Sequence, residues 1–472
     1  MPLVYLMTAI FSMRGKMKNL FQKKTALAFC AAVFLGVVSN PQVLGQNSPA
    51  EIQFVEKLGA ALENGSLEQA LGIFESIPAE LKEDTELLCL KGSLLLSAGR
   101  LQEAGQTAET LLQKEPSNID VLNLNFMVAK QKGDKTNKTK FIKQILALEP
   151  YNPEANIELA DEQALKKNWR NARDYYKKAL SGDPDNLDAL FGYGKMCYYM
   201  EKDQDSKKAF NRLIELDPEN PKGNAYLGKY AAENRQYRKA IDYVKIAIKY
   251  EPNNVDHYFD LGTYLRYIGD YEGAEKAWKK AVSLEPDYFL GYAYLAGLYD
   301  EENKTDLALE YYRLVVQKNP KYYYAYESLG MFAWKKGEWK DSMKAFQEAL
   351  KKNPDSISYK LMICACMYKM GKIQEMRTFT EGLMKKLPDR NGLEYKFIRM
   401  YHDKGGDADV AANIQKETNR TKKGRYLFYL ALYYQLTGKD SLAHKYYNEV
   451  VAMQSPMFFE YRMAQWESGE VN

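Results

Sequence analysis

The chain is 472 residues long, 46% hydrophobic and 27% charged, which is too long for one ordinary core and too polar for a multi-span membrane protein. Its formal charge of +4 comes from the amino terminus, where Arg14, Lys16, Lys18, Lys23 and Lys24 stand in residues 1–46 without an acid; taking those five from 66 leaves 61 basic against 62 acidic residues. A neutral remainder with interspersed charges excludes the electrostatic footprint of a nucleic-acid binder, three histidines leave little for metal or acid/base chemistry, and 37 tyrosines suit contact between proteins.

The first element is an address. From Met17 the sequence runs MKNLFQKK, then TALAFCAAVFLGVVS, then NPQVLGQNS: a basic start, an apolar run and a polar stretch with small residues. This is the pattern of a secretory signal peptide, starting at Met17 with residues 1–16 as an upstream extension. The apolar run from Thr25 to Val38 is shorter than the roughly 20 residues a membrane-spanning helix needs, so no stable span is expected. Cleavage after Gly45 leaves a chain beginning at Gln46 and places the protein outside the cytoplasm, in the periplasm. A buried first helix of a cytosolic protein, or lipidation at Cys30, are the weaker alternatives, since Lys23 and Lys24 precede an unbroken apolar run and Phe29 is large for a lipoprotein signal.

Beyond it a period of 34 runs through the chain. Pro116, Pro150, Pro184, Pro218, Pro252, Pro286, Pro320, Pro354 and Pro388 fall on it, each marking a helix end. Gly65, Gly99, Gly133, Gly269, Gly337, Gly371 and Gly405 share the grid half a repeat earlier, where a helix must stop and turn back. Each unit therefore reads helix, Gly turn, helix, Pro loop. Gly92, Gly194, Gly228, Gly262 and Gly330 hold position 8 of their units, and Ala104, Ala172, Ala240, Ala274 and Ala308 hold position 20, small residues that let paired helices approach. Tyr176, Phe210, Trp278, Tyr312 and Phe346 follow at position 24, with Ala179, Ala247, Ala281 and Ala349 at 27, on one helical face.

This pattern resembles the tetratricopeptide repeat. The unit from Val255 carries Tyr258, Leu261, Gly262, Ala274, Trp278, Ala281 and Pro286 in that family's places. The resemblance implies an all-α, right-handed superhelical solenoid over residues 47–455, with about twelve helix-turn-helix units starting at 51, 85, 119, 153, 187, 221, 255, 289, 323, 357, 391 and 424. Lys138 and Met376 depart from the small residue at position 20, the first unit has Pro78 early and Lys82 where proline belongs, and the unit from Asn391 ends in ETNRTKKGR, expected to be a loosened joint. Residues 456–472 supply a capping helix and tail, with Phe459, Met463 and Trp466 on one side.

No nucleotide-binding, zinc-protease, redox-dithiol or nucleophile-elbow motif is present, so no enzyme activity, cofactor or metal is expected. His257, His402 and His444 lie in different units, and Cys89, Cys197, Cys364 and Cys366 suit packing. The resemblance implies that positions 2, 5, 9, 12 and 13 of each unit face a concave groove that holds proteins or extended peptides. Those positions carry the aromatics Tyr198, Tyr199, Phe259, Tyr267, Tyr324, Trp334, Tyr368 and Tyr395, with Lys195, Lys229, Arg266, Lys335 and Lys369 among them. The open alternative is that these aromatics only fill space between helices. The Lys and Asn clamp with which some relatives hold chaperone tails is missing, since position 5 reads Ile157, Phe191, Ala225, Phe259 and Ala293 and position 9 reads Asp161, Lys195, Lys229, Thr263 and Gly297. The expected function is a non-catalytic scaffold in the cell envelope. A component of polysaccharide or envelope export, and the recognition subunit of an enzyme on another chain, are the alternatives.

Overall fold

The computed structural model describes residues 49–63, 66–455 and 458–469. The signal-peptide pattern and Gly65 lie outside the described residues. Among those described there are 25 α-helices and no strand, and the chain divides into two compact units at Pro252. No helix among them is long and apolar enough to cross a membrane.

Unit one holds α1 (Pro49–Glu63), α2 (Leu67–Ile73), α3 (Thr85–Ser97), α4 (Leu101–Lys114), α5 (Ile119–Lys132), α6 (Lys135–Leu148), α7 (Pro153–Leu165), α8 (Trp169–Gly182), α9 (Leu187–Tyr199), α10 (Asp203–Leu216), α11 (Pro221–Glu233) and α12 (Tyr237–Tyr250). The loops explain the phase. Two residues after each loop proline an asparagine turns its side chain onto the next helix: Asn152 accepts from the Ala155 amide at 3.1 Å and Asn220 from the Gly223 amide at 2.9 Å. At the other end of each first helix one residue enters the left-handed region and a backbone bond closes the turn, as Arg100 N to Leu95 O (2.8 Å) and Asp134 N to Ala129 O (2.9 Å).

That turn is kept where the sequence lacks glycine. Lys167, Glu201 and Arg235 occupy the same grid position with φ of 58°, 55° and 59°, and the same closing bond recurs at Asn168 N to Gln163 O (2.9 Å). A non-glycine residue there costs about 1 to 2 kcal/mol, so the packing of the helix pair, not the glycine, dictates the turn.

Unit two holds α13 (Val255–Tyr267), α14 (Tyr271–Leu284), α15 (Phe289–Glu301), α16 (Thr305–Lys318), α17 (Tyr324–Lys335), α18 (Trp339–Lys352), α19 (Ile357–Lys369), α20 (Ile373–Lys386), α21 (Leu393–Asp403), α22 (Asp407–Ile414), α23 (Arg420–Leu436), α24 (Asp440–Ala452) and α25 (Phe459–Ser468). It departs from the expected pattern in two places. The turn after α21 is made by Lys404 and Gly406, with φ of 57° and 88°, rather than by Gly405 on the grid. The stretch ETNRTKKGR is not a loosened joint: Asn419 caps α23 by accepting from the Lys422 amide at 3.0 Å, and Arg420 to Arg425 form its first turns. The cause is tertiary, since α23 is buried continuously from Tyr426 to Tyr434 and a longer helix satisfies its own backbone there.

Within a pair, position 8 meets position 24. A Cβ added at Gly262 would stand 2.3 Å from the Trp278 indole nitrogen, one at Gly194 2.9 Å from the Phe210 ring, and one at Gly330 2.8 Å from the Phe346 ring. Tyr176, Trp278 and Phe346 are buried, as are Ala172, Ala240, Ala274 and Ala308. Between pairs, a Cβ at Gly192 would meet the Tyr176 ring at 2.3 Å, so the same large side chains also wedge against the next first helix. Gly262→Leu is expected to destabilise by about 1 to 3 kcal/mol through overpacking, read as a lowered melting temperature; an unchanged value would show that the Trp278 contact does not set the pair spacing.

Candidate inner-face site

In unit one the expected groove positions lie on α9 and α11, beside the start of α8. Tyr199 is 45% exposed and its ring lies 5.1 Å from Trp169 at the start of α8. The Lys195 ammonium stands over the Phe191 and Tyr199 rings at 5.8 and 5.9 Å, and Lys222 over Phe191 at 5.2 Å. Tyr198 turns the other way. It packs on Tyr226 at 5.3 Å and Tyr230 at 5.4 Å, and its hydroxyl donates to Glu233 at 2.9 Å. Lys229, half-buried at position 9 of its unit, already takes part in interactions with its surroundings.

The Tyr198 contact links position 12 of one unit to position 13 of the next, and unit two repeats it. Arg266 donates from Nε to Glu301 at 2.7 Å and pairs with that carboxylate again through Nη2, while its guanidinium lies 5.8 Å from the Tyr267 ring. Arg266 is therefore a rivet between repeats and not a waiting partner for a ligand carboxylate, which corrects the sequence expectation. Tyr267 is 57% exposed beside it. Phe259 packs on Tyr288 and Tyr294 at 5.6 and 5.5 Å, and Tyr324, 63% exposed, lies against Tyr323 with ring centres 4.0 Å apart.

The remaining positions are filled. Trp334 is 4% exposed with its ring 4.7 Å from Trp339, so it is core, against the expectation that it faces a ligand. Lys369 stands over Trp339 at 5.5 Å, Lys404 stands over Tyr368 at 5.1 Å, and Tyr395 is half-buried on α21. Lys335 is covered by α25, its ammonium 4.6 Å from the Trp466 ring.

Helix α25 packs against α24 and also runs along the inner positions of unit two. Arg462 pairs with Asp300 Oδ1 at 2.7 Å and donates to the Asp300 carbonyl at 2.8 Å and to Asn303 Oδ1 at 3.0 Å. Trp466 lies 5.5 Å from Phe332, and Phe459 5.8 Å from Phe346 and 6.2 Å from Tyr359. Buried Glu460 accepts from the Ser358 hydroxyl and, at 2.9 Å, from the Tyr429 hydroxyl. Burial raises the Glu460 and Asp300 carboxyls above their usual range, and burial beside Arg462 lowers Lys335.

The sequence reading missed Trp169 and Trp339. Both open second helices at position 17, a place also held by Tyr237 and Tyr271 on the same grid, and that recurrence was the available signal. The cysteines Cys89, Cys197, Cys364 and Cys366 are free and buried, with burial pushing Cys89 and Cys366 up to about 12. No cluster of metal-ligating side chains occurs among the described residues.

The paired helices, recurring at a fixed spacing, define a helical-repeat protein. Residues 157–221, 227–288, 259–322 and 298–357 match the tetratricopeptide-repeat family model, and over them the chain is similar to that family. Proteins with these repeats generally mediate protein–protein interaction, and the fold is typically a non-catalytic scaffold. The chain is similar to the TPR repeat-containing protein YpiA of Bacillus subtilis, 24% identical over 248 residues, covering 52% of this chain and 58% of the relative. It is also similar to BBSome complex member bbs-4 of Caenorhabditis elegans, 22% identical over 236 residues, covering 50% of this chain and 51% of the relative. The chain thus spans about half the length of these relatives. Among solved structures, YrrB, described as a TPR protein with an unusual peptide-binding site, overlays with a TM-score of 0.35 at 19% identity, covering 40% of this chain and 96% of YrrB.

Trp334→Ala is expected to cost about 3 to 5 kcal/mol as a core truncation, whereas Tyr199→Ala is expected to stay within about 0.5 kcal/mol of the parent, as at exposed sites. Denaturant melts of the two variants check this, and equal losses would place Tyr199 in the core.

Proposed function

We propose that the chain is an exported, non-catalytic scaffold of the cell envelope that holds a partner protein or extended peptide against the inner face of unit one. The observation that carries the reading is the Trp169, Phe191 and Tyr199 surface with Lys195 and Lys222 over its rings. Rigid aromatic planes give large contact area at small entropic cost, and an ammonium held beside them adds a charge for a partner's carboxylate or carbonyl groups. Export rests on the basic start and short apolar run from Met17.

A photoreactive amino acid placed at Tyr199 in living cells is expected to give a discrete cross-linked species that Lys195→Ala weakens. The same probe at Lys178, exposed on α8, is expected to give none. Equal cross-linking from both positions, or none from 199, would overturn the site. For the location, amino-terminal sequencing of the native protein is expected to read from near Gln46 in the envelope fraction, and an intact Met1 or Met17 on a cytosolic protein removes that part of the reading.

A further inference from the structure

Five side chains at the groove positions of unit two line or touch one object. Asp300 (position 12), Glu327 (5), Met331 (9), Lys335 (13) and Ser358 (2) come from three successive first helices, α15, α17 and α19, and all border α25 or the cleft beneath it. A terminal cap covers the apolar face of the last repeat; α25 reaches back across three units to do more than that.

Met463 and Ala464 are buried in the apolar core, and beside them the helix makes contacts of the kind used in recognition. Phe459 and Trp466, seven residues apart, are aromatic anchors on one face of a two- to three-turn helix, while Arg462 makes three contacts to Asp300 and Asn303. Glu460 meets two hydroxyl donors from α19 and α23. Buried charges of this kind add little to stability compared with apolar residues of the same size, but they discriminate strongly between correct and incorrect partners.

The fit is also incomplete. A cleft of about 500 Å³ remains beneath the helix, lined by Asp300, Glu327, Ser356, Arg425, Phe458 and Arg462 among others. Glu460 Oε2 and Arg425 Nε face each other at 3.8 Å, beyond hydrogen-bond reach. Each of those atoms, and the Trp466 indole nitrogen, is buried without a hydrogen-bond partner among the described residues. A buried polar atom left without a partner costs its desolvation, so α25 is held specifically and below the best attainable affinity.

We propose that the inner face of unit two is a binding site for an amphipathic helix, that α25 occupies it as an intramolecular ligand, and that a partner helix with the spacing Phe-Glu-x-Arg-Met-x-x-Trp displaces it. The site is independent of the unit-one surface, and of any partner held there. Being part of the same chain gives α25 an effective concentration on the order of millimolar, which suppresses weak competitors and admits only helices that make the same anchors and ion pair better.

The test uses the full-length chain and a fluorescein-labelled peptide of residues 456–472. Arg462→Glu with Trp466→Ala removes an anchor and opposes Asp300 with a like charge, and is expected to free the site and bind the peptide at least tenfold more tightly than the wild type. Adding Asp300→Arg to that variant is expected to abolish the gain. Equal binding by wild type and variant, a correctly helical variant that does not bind, or a gain insensitive to Asp300→Arg overturns the proposal. Hydrogen exchange on the wild type gives a second reading that needs no variant to fold. The amides of 459–468 are expected to exchange at least tenfold faster than those of α24, and protection equal to that of α23 would make α25 permanent core and overturn the proposal.

Discussion

Three of the helix pairs rest on one contact, a glycine at position 8 of the first helix against an aromatic plane at position 24 of the second. Gly262 against Trp278, Gly194 against Phe210 and Gly330 against Phe346 set the separation of their three pairs. Once that spacing is fixed, the chain must reverse in very few residues, and it does so even where Lys167, Glu201 or Arg235 has to enter the left-handed region. The strain is small beside the aromatic burial it permits, since a core Phe or Trp is worth about 3 to 5 kcal/mol on truncation. The packing contact outranks the turn.

The same stack consumes much of what a groove would need for binding. Tyr198 and Arg266 each reach across to a glutamate 35 residues on, at 2.9 and 2.7 Å, and so spend their polar ends on holding adjacent units together. Trp334 goes into the core with Trp339, and Lys369 covers the other side of that indole. What stays exposed on the inner face includes Tyr199, Tyr267 and Tyr324. A residue's position number thus tells which way it leaves the helix, while the identity of the residue one unit away tells whether it is already engaged.

That distinction marks how far the sequence could be read. The all-α fold and its phase were legible because proline, glycine and the small residues act locally and recur every 34 residues. The burial of Tyr176, Trp278 and Phe346 followed from the same grid. Trp334 could not be placed in this way, since it holds the same position 12 as the half-buried Tyr198, and only the indole of Trp339 five residues later draws it inward. Nor could the register of Arg420 to Arg425 be read, because Thr421 and Gly424 weaken the helix preference of a run that is nonetheless helical where α23 is enclosed by its neighbours.

The last helix lies furthest from what a period can reveal. Phe459, Met463 and Trp466 announce an apolar side, and an apolar side at the end of a repeat array suggests a lid on the final pair. The partners that draw it further back, Asp300 and Asn303, stand 162 and 159 residues away from Arg462, a separation that no 34-residue repeat encodes. One clue was nevertheless present in the composition of the helix. A simple lid keeps its charged residues wet, and here Glu460 adjoins Phe459 and Arg462 adjoins Met463, so a charge of each sign borders the apolar stripe. When such a helix is laid against a surface, those charges must find partners on it or be left at heavy cost. Ser358, Tyr429 and Asp300 are those partners. The apolar stripe made the helix sticky, and the two charges chose where it sticks.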